Sequence, residues 1–215
     1  MIFQELDNGS LQFVGDFETL YQTDADPWGQ SGGGPRAPYY RWSRNQLTSR
    51  ITGHAGHGSR IDGLEIGCGH GHLAEMLRLS CGGRWAGMDI SQTALQQAVE
   101  RYPNIGFNHG DITELSGDGQ FNVVIWSQIL WYVAEKLEQA MVNTLSMLED
   151  GGLFVLHQAF LAPGNQKYVM DGLDGFKGAL RSLIYFDDLE LLEARYRPDA
   201  LAGLHDGLMI FRKKG

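Results

Sequence analysis

The alternation of apolar and polar positions divides the chain into short apolar runs separated by stretches of helical spacing. The strongest signal begins at residues 61–66, an apolar run that contains Glu65, turns through Gly67, Gly69 and Gly71, and continues at helical spacing with Leu73, Met76 and Leu77. This predicts a strand, a tight loop and a helix over 72–79. Further runs predict strands at 84–90, 106–112, 121–126 and 152–157, and the continuous apolar character of 121–126 is that of a strand covered on both faces. Between them, spacing predicts a helix over 92–102 with Ala94, Leu95, Ala98 and Val99 buried. A second helix, over 135–149, carries Leu137, Ala140, Met141, Leu145 and Leu148 on one face and stops at Gly151-Gly152. Ahead of these elements, Phe17, Leu20 and Tyr21 fall on one helical face, and Pro27 ends that helix. Behind them, residues 161–185 read as irregular glycine-rich loops, 186–196 as an amphipathic helix, and 205–213 as a closing strand.

Strands alternating with helices define an α/β architecture around a mostly parallel sheet. The 215 residues are enough for one α/β domain with additions. We divide them into an N-terminal cap or lid segment, 1–58, and a core domain, 59–215. The glycines of 32–34 supply a hinge for the first segment. No run approaches the ~18 apolar residues of a membrane helix, and the first residues carry no basic region followed by an apolar one. Two cysteines, Cys68 and Cys81, read as free thiols of a reducing, cytoplasmic compartment. A formal net charge of −9 argues against a polyanionic partner such as nucleic acid, and for a small-molecule substrate. His54 and His57 have no third ligand near them in sequence, so no metal site is expected.

The glycine loop has a chemical reading. Glycine admits positive φ and leaves main-chain N–H groups open to a ligand. A dinucleotide fingerprint would place its third glycine at position 72, where this chain has His72. Asp89 ends the second strand, at the distance from the loop where nucleotide folds accept hydrogen bonds from ribose hydroxyls, and Ile90 would then lie against adenine. With Glu65 and Asp111, it makes three carboxylates at three successive strand ends. The ligand they imply donates hydrogen bonds from hydroxyl, ammonium and amino groups.

The run Leu64-Glu65-Ile66-Gly67-Cys68-Gly69-His70-Gly71, with Asp89 and Gly110-Asp111-Ile112, resembles the motifs of class I S-adenosylmethionine-dependent methyltransferases over about residues 60–160. The N-terminal Phe17, Leu20, Tyr21 and Asp26-Pro27-Trp28, with Ser127-Gln128-Ile129-Leu130-Trp131-Tyr132-Val133, is similar to the nodulation-protein-S-like group, whose founding member N-methylates an amino sugar. The resemblance implies a doubly wound seven-stranded sheet with an antiparallel last strand and an N-terminal helical cap. It implies S-adenosylmethionine as cofactor, with S-adenosylhomocysteine as product. Cofactor-binding positions would be Glu65, Gly67, Cys68, Gly69, Asp89, Ile90, Asp111, Ile112 and Ser127, with Trp28 capping the pocket. Arg44, three residues after Arg41, is a candidate partner for the cofactor's carboxylate. Beyond position 30 the chain departs from the group, offering Tyr39-Tyr40-Arg41-Trp42, which weakens any transfer of substrate.

On this reading the chain methylates a small-molecule nucleophile, with an amine favoured and a hydroxyl open. A base is required only where the nucleophile arrives protonated. His157, at the end of the 152–157 strand, is the candidate base, with Tyr132 and Gln128 orienting the acceptor. Two other functions stand beside it: an NAD-dependent oxidoreductase, which shares the loop and Asp89, and a non-catalytic S-adenosylmethionine-binding partner protein. Sequence leaves oligomeric state open.

Overall fold

Three apolar rows on adjacent strands organise the molecule, and each changes character at its cavity end. In the computed structural model, which describes residues 2–7, 9, 11–56, 58–161, 173–201 and 204–215, a two-stranded antiparallel ribbon, β1 (Phe3–Glu5) and β2 (Leu11–Phe13), opens the chain. Helices α1 (Phe17–Thr23) and α2 (Ala37–Ala55) follow, then β3 (Asp62–Ile66), α3 (His72–Cys81), β4 (Arg84–Asp89), α4 (Gln92–Arg101), β5 (Gly106–His109) and β6 (Phe121–Ser127). The second half comprises α5 (Leu130–Val133), α6 (Leu137–Met147), β7 (Leu148–Leu161), α7 (Gly175–Ile184), β8 (Leu189–Leu201) and β9 (Leu204–Lys213). The main sheet has seven strands in the order β5-β4-β3-β6-β7-β9-β8, and every pairing is parallel except the two made by β9.

Side chains alternate across the sheet. Val123 and Ile125 of β6, Leu153 and Val155 of β7 and Leu208 and Ile210 of β9 face one core with Leu47 and Ile51 of α2 and Leu73 and Leu77 of α3. Val124, Trp126, Phe154, Leu156, Met209 and Phe211 face the other, with Met141 and Leu145 of α6 and Ala179 and Leu183 of α7. α2 buries Tyr39, Ser43, Leu47 and Ile51, a four-residue repeat that lays one stripe on the sheet. Chain order reverses beside β3, whose crossovers run outward to β4 and β5 while β6 and β7 lie on its other side. In open α/β sheets ligands bind at the strand carboxyl ends by such a point.

Four expectations need correction. Residues 186–196 are not a helix: 189–201 form the edge strand β8. Leu189 enters one core and Leu192 packs against the other, so an apolar spacing of three serves a strand covered on both faces, and pairing to β9 overrides helix propensity. Residues 175–184, expected to be irregular, form α7, which buries Gly178, Ala179 and Leu183; residues 162–172 lie outside the described residues. Val99 is 51% exposed, because the buried stripe of α4 is confined to Ala94, Leu95 and Ala98. Leu148 is not the last residue of α6 but the first of β7, where it pairs with Phe121. His54 lies in the last turn of α2 and contacts Glu193 at 2.8 Å, whereas His57 lies outside the described residues. Among the described residues no helix is long and apolar enough to cross a membrane.

Candidate active site

The loop between β3 and α3 is a tight turn held from β4. Gly67 and Cys68 N–H groups both donate to Met88 O, at 2.8 and 3.0 Å. Gly67 and Gly69 have φ of +73° and +50°, the left-handed region that favours glycine. Asp89, at the end of β4, completes the turn: its Oδ2 accepts from Gly69 N at 2.7 Å and its Oδ1 from Ser91 N at 2.9 Å. Ser91 N-caps α4 by accepting from Ala94 N at 3.1 Å. Asp111 Oδ1 accepts from Thr113 N at 2.8 Å, which sets its carboxylate at the end of the neighbouring strand. Burial raises the Asp89 carboxyl above its ordinary value, and backbone N–H donation works against that shift.

A cavity of about 510 Å³ opens over these strand ends. Of the residues named from sequence, Gly67, Cys68, Gly69, Asp89, Ile90, Asp111, Ile112, Ser127, Gln128, Tyr132 and Trp28 line it, whereas Glu65, Arg44 and His157 do not. Glu65 lies beneath the loop, where its Oε2 accepts from Ala74 N at 2.8 Å. Burial pushes its carboxyl up to about 8, with Arg44 opposing that shift. Arg44 donates from Nη2 to Gln30 Oε1 at 2.8 Å and stacks over Tyr40, so it braces the covering segment. His157 is 4% exposed, with Nε2 2.9 Å from Asp206 Oδ1 and Nδ1 3.4 Å from Ser127 Oγ.

The N-terminal segment roofs the cavity. Tyr132 stacks on Phe13 at 5.5 Å, meets Phe17 edge-on at 5.0 Å and faces Trp28 at 6.4 Å. Trp28 Nε1 donates to the Tyr21 hydroxyl at 3.0 Å, and Tyr40 donates to Trp28 O at 3.1 Å. Glu18 fastens the roof to α4, accepting from Ser91 Oγ at 2.7 Å and from Thr93 Oγ1 at 2.5 Å. Those two hydroxyls hold its carboxyl down at about 2.

Sequence reasoning missed Tyr21, Tyr39 and Asp206 as parts of this region. Sequence gives Tyr21 a helical face and a place in the N-terminal motif, and Asp206 a strand, but no contact for either. Their importance comes from contacts 48 or more residues apart in the chain, which local spacing does not encode. Gln128 stands out by φ of +67°, the single non-glycine residue with positive φ among the described residues. Its Oε1 accepts from Ala159 N at 2.8 Å, while its Nε2 has no acceptor within hydrogen-bonding distance. The ring nitrogen Nε2 of His70 is likewise buried without a partner in the cavity wall, and burial keeps that imidazole's pKa below its ordinary value.

The donor set suits a nucleoside ligand without phosphates. Asp89 and Asp111 offer carboxylate oxygens at adjacent strand ends, and the glycine turn leaves the main chain open. The imidazoles beside the turn are held neutral, that of His72 at about 4 chiefly by burial, and bring no positive charge for a pyrophosphate. The fold is that of the class I S-adenosylmethionine-dependent methyltransferases, with the cavity at the strand ends where that fold binds its ligand.

Comparison with known proteins agrees. Residues 64–152 match the family model described as a methyltransferase domain. A ubiquinone biosynthesis O-methyltransferase from Rickettsia bellii is 28% identical over 116 residues, 52% of this chain and 48% of the relative. The chain thus spans about half the length of the curated relatives it matches. Among solved structures, N-methyltransferase NodS from Bradyrhizobium japonicum WM9, in complex with S-adenosylhomocysteine, superposes with a TM-score of 0.71 at 22% identity, covering 93% of this chain and 98% of that one. A candidate sarcosine dimethylglycine methyltransferase from Galdieria sulphuraria gives 0.72 at 17% identity over the same shares. Residues 64–152 thus carry a methyltransferase domain, and the chain has the fold of the class I S-adenosylmethionine-dependent methyltransferases, NodS among them.

Proposed function

We propose that this chain methylates a small-molecule nucleophile, an amine before a hydroxyl. The observation that carries the reading is the continuity of the cavity, which runs from Gly69, Asp89 and Asp111 to a far end of Gln128, Gln158, Trp131 and Tyr132. One end has the groups to hold a nucleoside. The other is lined by amides and aromatic rings, which suit a neutral amine and stabilise the positive charge it acquires on methylation. Its volume is that of a site for small ligands. The activities for which the two structural neighbours are named favour nitrogen, whereas the Rickettsia relative is named as an oxygen methyltransferase, so transfer to a hydroxyl is the second reading.

S-adenosylmethionine, when bound, supplies a methyl group already activated on a sulfonium. The protein's task is then alignment and exclusion of water. In this reading Asp89 holds the ribose, Asp111 and Ile112 the adenine edge, and Ile90 an adenine face. Gly67, Cys68, Ser127 and Glu65 lie on the methionine side, with Glu65 acting from beneath the loop and Arg44 through the roof. Residues 1–58 form the cap over the core of 59–215. Trp28, Phe13 and Phe17 exclude water, and Gln128 and Tyr132 orient the acceptor.

The test is mass spectrometry of ligand carried through purification, followed by transfer of an isotope-labelled methyl to matched panels of amines and phenols. S-adenosylhomocysteine in the protein and label on amines support the reading. Label on phenols alone moves it to oxygen, and NAD in the protein removes it.

A further inference from the structure

The three apolar rows that face α2 end in polar residues at the cavity. Val123 and Ile125 are followed on that face by Ser127, Leu153 and Val155 by His157, and Ile210 and Leu208 by Asp206. Ser127 and His157 are register partners on β6 and β7, and Asp206 lies on β9, whose Leu208 pairs with His157. His157 Nε2 is 2.9 Å from Asp206 Oδ1, and Ser127 Oγ is 3.4 Å from His157 Nδ1. Tyr39, from α2, donates to the same Asp206 oxygen at 2.8 Å. His157, Asp206 and Tyr39 are each 7% exposed or less, whereas Ser127 lines the cavity.

This arrangement fixes the imidazole tautomer. A carboxylate oxygen only accepts, so the proton of a neutral His157 is on Nε2 and the lone pair on Nδ1 faces Ser127. Burial opposes ionisation of Asp206, but the bonds from His157 and Tyr39 outweigh it and hold its carboxyl below the ordinary value. Three apolar residues at these positions would extend the core without the desolvation cost of a buried carboxylate. A polar chain leading to the cavity wall has a use when a proton must leave the cavity.

We propose that Ser127, His157 and Asp206 form a proton relay that accepts the acceptor substrate's proton, with Asp206 and Tyr39 as positioning residues. The inference rests on the methyltransferase reading and deepens it. The protonated amine or hydroxyl gives its proton to Ser127 Oγ as the Ser127 proton passes to His157 Nδ1. The imidazolium so formed keeps its Nε2–H donated to Asp206. The substrate is left with a free lone pair, which forms the new bond to the methyl carbon while the carbon–sulfur pair returns to sulfur. Tyr39 belongs to α2 and Asp206 to β9, so the relay is complete only when α2 is seated on the sheet.

Nitrogen NMR of the full chain, labelled in its histidine rings, tests this without a known substrate. Two probes are used: S-adenosylhomocysteine, and an S-adenosylmethionine analogue with a primary amine in place of the methylated sulfonium. In the wild type, His157 should carry its proton on Nε2 alone. The amine analogue should move the Nδ1 resonance, S-adenosylhomocysteine should leave it in place, and Ser127→Ala should cut the response by more than half. Asp206→Asn should give a mixture of tautomers, a change that a merely space-filling role for Asp206 would not produce. A proton on Nδ1 in the wild type, an equal response to both probes, or a response indifferent to Ser127→Ala overturns the relay. Calorimetry with the same probes separates the two readings, because binding of neither compound overturns the cofactor reading beneath it.

Discussion

Tyr21 of α1 occupies the space that a side chain at Gly69 would need: a Cβ built there stands 2.5 Å from the Tyr21 hydroxyl. The glycine therefore admits the roof onto the loop as well as supplying φ of +50°. Gly69→Ala should cost about 1–2 kcal/mol, part from backbone strain and part from displacing Tyr21. Tyr21→Phe removes the colliding oxygen, so the double variant should recover at least about 0.5 kcal/mol relative to additivity. Denaturant unfolding of the four proteins measures it; strict additivity would separate Tyr21 from the loop.

Asp89→Ala should weaken S-adenosylhomocysteine binding at least tenfold and also destabilise the protein. Its two oxygens hold Gly69 N and Ser91 N, so the loop loses anchors whether or not ligand is present. Hydrogen bonds to charged groups contribute about 1.5–3 kcal/mol each. Asp89→Asn, which keeps one acceptor, should fall between wild type and Ala in both calorimetric affinity and melting temperature. Affinity unchanged in Asp89→Ala would leave Asp89 with the structural role alone.

The Glu18 latch predicts a pH window. Its folded carboxyl is held at about 2, below the ordinary value of 4.5, so it favours the folded state above about pH 4.5 and loses that contribution as pH falls toward 2. Glu18→Gln should therefore reduce protection of amides 17–23 from hydrogen exchange several-fold at pH 7, relative to wild type. The two proteins should converge as pH is lowered through that window. A difference that stays constant from pH 7 to pH 3 would show that the charge of Glu18 is not what fastens α1 to α4.

Gln128 offers a contrast between two small substitutions. Gln128→Ala keeps φ at +67° and leaves Ala159 N without its acceptor, which should cost about 2 kcal/mol. Gln128→Gly loses the same bond but relieves the backbone, so it should lie within about 1 kcal/mol of wild type. Equilibrium unfolding gives both values, and a glycine variant less stable than the alanine one would mean that the positive φ stores no strain.

Local chemistry made most of the glycine-turn side of the cavity legible. Glycines that need positive φ and carboxylates at strand ends leave marks on sequence because each acts within its own turn, as Asp89 does on Gly69 and Ser91. The substrate side was less legible. His157 reads at the correct sheet edge from its strand alone, but its carboxylate partner comes from β9 and that carboxylate's second donor from α2, and no periodicity links residue 39 or 206 to 157. The helix expected at 186–196 failed for a related reason: an edge strand with apolar contacts on both faces shows the spacing of an amphipathic helix. The ribbon that pairs Phe3 with Phe13 left no recognised signal either, since two three-residue strands are too short for an alternating pattern.

The position of β9 between β7 and β8 imposes an order on biosynthesis. Ribosomal synthesis delivers β7 first, then α7 and β8, and only afterwards the strand that separates β7 from β8. Throughout that interval the growing chain presents the outer edge of β7 unpaired, a template for another chain. Residue 206 arrives with the same late strand. The polypeptide emerging from the ribosome thus has its glycine turn and strand-end carboxylates early, and gains the carboxylate behind His157 only when the vulnerable edge is covered.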